Sequence, residues 1–121
     1  MLEDFELLNL FLEAYQQIVV TPHILAETSN LVPQIGDPDK SRIMQIFGAF
    51  IGSLEEIQHP SNSAVKSPHF VRLGLTDCTI LEILQEGLPL LTVDFNLYFQ
   101  ALSSGHEVFN FNHERQKYLW E

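Results

Sequence analysis

One cysteine in 121 residues leaves Cys78 without an internal partner, so no disulfide framework is available to this chain. Basic residues are scarce: six Lys and Arg stand against sixteen Asp and Glu, a net charge of −10 with histidine neutral. That sign excludes bulk attraction to polyphosphate, and any nucleic-acid chemistry would need cations or a local basic strip. No apolar run approaches the roughly 18 residues of a membrane-spanning helix, so no membrane association is expected. Nor does a basic-then-apolar leader follow Met1, and a cytoplasmic location is the expectation. Internal repeats and low-complexity stretches are lacking too. What is there is 45% hydrophobic and 18% charged, the composition of a globular chain rather than a disordered one. By surface scaling a chain of this length buries about two thirds of its unfolded surface, enough for one domain spanning residues 1–121.

The periodicity of apolar residues sets out the elements. Phe5, Leu8, Leu12 and Tyr15 recur at helical spacing over residues 2–17, with Glu3, Asp4 and Glu6 where the helix dipole favours negative charge. Ile18, Val19 and Val20 are β-branched, and Thr21-Pro22 is a helix start, so a strand feeds a helix over residues 22–32. Ile43, Ile46, Phe47, Phe50, Leu54 and Ile57 predict a helix over residues 38–57. Gly48 and Gly52 lie four apart within it and suggest close packing of two soluble helices. Residues 59–68, with two prolines and several serines, read as a loop. A helix with the stripe Ile80, Leu81 and Leu84 follows and stops at Gly87 and Pro89. Then come a strand over residues 90–93, a short helix carrying Leu97, Tyr98, Ala101 and Leu102, a strand over residues 107–109, and a tail helix. Strands alternating with helices predict an α/β fold, a parallel sheet sandwiched by helices.

In an open parallel sheet, ligands collect beyond the carboxyl ends of the strands. Asp94 directly follows one predicted strand. Glu27 lies on the helix after another, three residues past Ile24 and four before Leu31, and Asp77 heads the stripe of Ile80, Leu81 and Leu84. Three converging carboxylates would repel one another unless a divalent cation compensated, and Mg²⁺ or Mn²⁺ suits hard oxygen ligands. Such a site activates water for phosphodiester cleavage. Simpler roles stand beside this one: Asp94 as an N-cap, Asp77 as a partner of the helix dipole, and Glu27 in a structural ion pair.

Three stretches taken together, Val20 to Leu31 (VTPHILAETSNL), Leu73 to Asp77 (LGLTD) and Leu90 to Tyr98 (LLTVDFNLY), resemble the PIN domain family in order and spacing. The resemblance covers most of the chain, from about Ile18 to Phe111. It implies a parallel sheet between helices and a Mg²⁺- or Mn²⁺-dependent ribonuclease acting on RNA, of the kind often held by an antitoxin and often a homodimer. It assigns Glu27, Asp77 and Asp94 to the metal, with Thr92 as the accompanying hydroxyl. The family opens on a strand ending in Asp, whereas this chain opens in the helix that follows, and Asp4 has no strand before it. The resemblance therefore implies that about 25 residues precede this sequence or that the chain is a degenerate member. Without the first acid, positioning of water and phosphate suffers, and little or no nuclease activity is expected.

The alternative is a pseudonuclease: an interaction module that keeps the fold and binds RNA or a protein partner without cutting. A phosphoacceptor receiver domain fits less well, since the lysine it needs after its last strand is matched only by Lys117, deep in the tail. Cys78, in the first turn of an apolar helix, reads as a buried small hydrophobe. The five histidines lack zinc-site spacing, and His23, four residues before Glu27, suits a capping or surface role better than ligation. Lys66 and Arg72 flank the loop before Asp77, where solvated surface charge is their default role.

Overall fold

A computed structural model describes residues 2–120, with side chains from Glu6 to Lys117. Glu3, Asp4 and Phe5, placed by the sequence in the first helical turn, lie outside the described side chains. The elements in chain order are α1 (Leu2–Glu13), β1 (Val19–Val20), α2 (Pro22–Leu31) running into a 3₁₀ turn (Val32–Gln34), α3 (Asp39–Ile51) and β2 (Glu55–Glu56). Two short helices follow, α4 (Ser61–Ala64) and α5 (Phe70–Leu73), then α6 (Leu75–Leu84), β3 (Leu90–Thr92), α7 (Phe95–Ser103), β4 (Val108–Asn110) and α8 (Phe111–Trp120). This is a small α/β domain. Its strands are parallel, as the alternation predicts, but the described ones form two separate pairs, β1 with β2 and β3 with β4, rather than one ladder. Among the described residues no helix is long and apolar enough to cross a membrane.

Contacts divide the chain into two compact units. One is Gln16–Gln58. Here Thr21 caps α2, its hydroxyl accepting from the Ile24 amide at 3.3 Å while Pro22 takes the first helical position, where a missing N–H costs nothing. Ser53 closes the end of α3 by donating its hydroxyl to the Phe50 carbonyl at 2.8 Å. The predicted helix over residues 38–57 therefore overran. The chain extends past Gly52, and the amides of Glu55 and Ile57 donate to the carbonyls of Ile18 and Val20 at 2.9 and 2.8 Å. Backbone pairing with β1 wins over the helical spacing of Leu54 and Ile57. A Cβ added at Gly48 would meet nothing within 4 Å, so among the described residues of this chain no second helix packs closely there, where the sequence predicts close packing. The core of this unit is thin: Val32 and Thr21 are buried, while Leu31, Ile35, Met44, Ile46 and Phe50 stay exposed.

The other unit joins the segment ending at Tyr15 to the one beginning at His59. Its core is α6, which buries Cys78, Thr79, Ile80, Leu81, Ile83 and Leu84. Each of the large aliphatic side chains contributes about 1.5–3 kcal/mol by leaving water. Gly74 makes the entry to α6 possible: it ends α5 with its amide on the Phe70 carbonyl at 2.8 Å and turns the chain at φ 89°, a conformation that side chains with a Cβ rarely take. Leu97 and Ala101 of α7 and Ala64 of α4 complete the core. Strands β3 and β4 pair Leu90 with Val108, Leu91 with Phe109 and Thr92 with Asn110. Phe11 of α1 meets Phe109 edge-on at 5.3 Å. Buried Asn110 opens α8 by accepting the Asn112 amide on its Oδ1 at 2.9 Å.

Candidate functional site

Thr92 and Asp94 stand where β3 passes into α7, and both serve the backbone. The Asp94 amide donates to Thr92 Oγ1 at 3.0 Å, and Asp94 Oδ1 accepts the Leu97 amide at 2.9 Å, the geometry of an N-cap. Asp77 sits half-buried in the first turn of α6. Glu27 lies on α2, in the other unit, and is exposed together with Ala26 and Thr28. The apolar helical face inferred around Glu27 is thus not a buried one.

A divalent-ion site needs several oxygen or nitrogen donors gathered within coordination distance. Among the described residues, no three His, Cys, Asp or Glu side chains form a group that could hold a metal ion. This overturns the expectation that Glu27, Asp77 and Asp94 jointly ligate Mg²⁺ or Mn²⁺. With it goes the reading of the chain as a metal-dependent ribonuclease built on these acids. The donor set does not fit the ion, because the carboxylates that the motifs supply are not assembled into one cage.

Two other arrangements emerge that the motifs did not reveal. The first surrounds Glu82 on α6. His59 Nε2 contacts Glu82 Oε2, and the Ser63 hydroxyl donates to the same oxygen at 3.1 Å. Serine, histidine and an acid are present, but both partners converge on the carboxylate, so histidine does not stand between acid and hydroxyl as nucleophile activation requires. The cluster fastens the segment holding α4 onto α6. Beside it opens a cleft of about 430 Å³ lined by Ser67, His69, Cys78, Glu82, Ser104 and His106, among others. Cys78 is fully buried, as expected of a small core residue.

The second arrangement is the outer face of α7. Leu97 and Ala101 point into the core, while Phe95, Phe99 and Leu102 are 65%, 58% and 50% exposed. Positions 95, 99 and 102 share one helical face, opposite Leu97 and Ala101. The two rings stack with centroids 6.0 Å apart and planes at 27°. The sequence held the signal in the i, i+4, i+7 series that Phe95 opens. It is obscured because the apolar residues run around the whole helix, where Leu97, Tyr98, Ala101 and Leu102 form a competing stripe. In α7, from Phe95 to Ser103, there is no Lys, Arg, Asp or Glu.

Fold and site together define a small α/β domain with an uncharged aromatic face on one helix and a cleft of mixed polar and apolar lining in the same unit. Comparison with protein-family models, with curated proteins and with solved structures finds no match.

Proposed function

We propose that this chain is a non-catalytic interaction module that binds a protein partner. The observation that carries the reading is the exposed stripe of Phe95, Phe99 and Leu102 on α7. Two stacked phenylalanines left in water forgo much of the stabilisation their burial would bring, and contiguous exposed apolar surface marks interaction sites. Aromatic side chains are also the residue type enriched at protein interfaces. The charge of −10 favours protein over RNA, since RNA binding begins with neutralised phosphates. A PIN-like, pseudonuclease-type scaffold belongs to the same proposal: parallel strand pairs and the order of the VTPHILAE, LGLTD and LLTVD stretches support it.

Photocrosslinking tests this reading. A benzophenone amino acid replaces Phe99 in the chain expressed in its source cells, and covalent adducts are separated into protein and nucleic acid. Protein adducts at position 99, absent when the same group sits at exposed Gln45 of the other unit, support an interaction module. Adducts to RNA alone, or none above those at position 45, refute it.

A further inference from the structure

We propose that the outer face of α7 docks a cationic amphipathic helix of a partner protein. This rests on the interaction-module reading and names the chemistry of the partner. Phe95, Phe99 and Leu102 form a row about 10 Å long, since seven residues of helix rise about 1.5 Å each. A row of that length, with anchors one turn apart, matches the i, i+4, i+7 apolar positions of a second helix laid along the first.

Charge selects among the occupants. α7 itself carries no ionisable acid or base from Phe95 to Ser103 apart from the phenol of Tyr98, so the apolar row is free of local repulsion. Exposed Asp94 precedes the helix and exposed Glu107 follows it. Arg72 donates its guanidinium to Gln100 Oε1 at 2.6 Å, and Gln100 stands on a flank of α7 turned away from the apolar row, so this positive charge does not border the row. The molecule as a whole carries an excess of ten negative charges. A second copy of the chain, a nucleic acid and an anionic bilayer are all negative and are repelled at long range. A helix whose apolar stripe is flanked by Lys and Arg is attracted and then held by the rings, with charge setting the encounter and aromatic burial the residence.

The test uses a synthetic Leu/Lys peptide patterned as an amphipathic helix, a scrambled peptide of the same composition, and a Leu/Glu counterpart, each followed by fluorescence anisotropy against the full chain. The patterned cationic peptide is expected to bind, and the other two are not. Phe95→Asn with Phe99→Asn should weaken binding about 30-fold or more, the size expected for losing central aromatic anchors. Leu31→Asn, which alters an exposed leucine of the other unit, should leave it unchanged. Circular dichroism confirms that both variants fold, and a single Phe99→Ser substitution replaces the double variant if it does not. Equal binding of the scrambled peptide, or loss in Leu31→Asn rather than in the phenylalanine variants, overturns the proposal. Concentration-dependent self-association that the phenylalanine variants abolish also overturns it, while leaving the interaction-module reading standing. Absence of peptide binding, self-association and protein crosslinks at position 99 removes both.

Discussion

Replacing Asp94 separates two roles that the same carboxylate could play. As an N-cap, it supplies one acceptor oxygen, 2.9 Å from the Leu97 amide, and its own amide is held in turn by the Thr92 hydroxyl oxygen at 3.0 Å. Asp94→Ala removes that acceptor and leaves an amide of the first turn of α7 to water. Such cap losses cost about 1 kcal/mol, within a range of roughly 0.5–2. Asp94→Asn keeps a carbonyl oxygen in the same place and gives up only the charge at the helix N-terminus, about 0.3–1 kcal/mol for an exposed group. In a chain of this size, 1 kcal/mol corresponds to a shift of about 3–6 °C in Tm. Thermal and urea unfolding followed by circular dichroism should therefore rank wild type, then Asn, then Ala, with slopes against urea unchanged. Addition of Mn²⁺ should not move the wild-type midpoint, since only binding to the folded state can raise it. A metal-dependent midpoint that both substitutions abolish equally would refute the capping assignment, as would an Ala variant indistinguishable from wild type.

Two further outcomes follow from the geometry. The purified chain should leave RNA intact in the presence of Mg²⁺ or Mn²⁺; cleavage abolished by Glu27→Gln or Asp77→Asn would contradict the absence of an assembled site among the described residues. The Ser41 hydroxyl, donating to Asp37 Oδ1 at 2.6 Å, holds that carboxyl below its ordinary value of 3.8, opposed by desolvation and helped by the Ser41 amide and Lys40. Because the folded pKa is depressed, the contribution is complete above the unfolded value and is lost as pH falls through the folded one. Ser41→Ala should raise the Asp37 pKa and reduce, without abolishing, that acid-side dependence, since the backbone amide of residue 41 and Lys40 remain, as read by carboxyl NMR titration.

The legible parts of this chain were those where local chemistry and burial agree. Thr21-Pro22 begins α2 as its cap and ring predict, and the α6 stripe of Ile80, Leu81 and Leu84 is buried as its spacing requires. The strand Glu55–Glu56 was illegible because neither residue has a preference for extended structure; the backbone of Ile18 and Val20 holds it there. His59 and Ser63 meet Glu82 across 23 and 19 residues, a proximity that only tertiary structure produces. At the candidate site, the Thr92 and Asp94 pattern was visible but ambiguous, since a cap and a ligand draw on the same residue types. Helical spacing also misjudged Glu27, because flanking Ile24 and Leu31 define a buried face only if something covers them, and Leu31 is 61% exposed.

Strand β2 has a consequence for how the molecule behaves in company. Among the described residues it pairs with β1 alone, and it consists of two glutamates, both exposed. An unpaired sheet margin is ordinarily a template on which foreign chains can stack. Here a second copy of the same strand would set glutamate against glutamate, so the ribbon is guarded on that side by its own composition against stacking of identical chains.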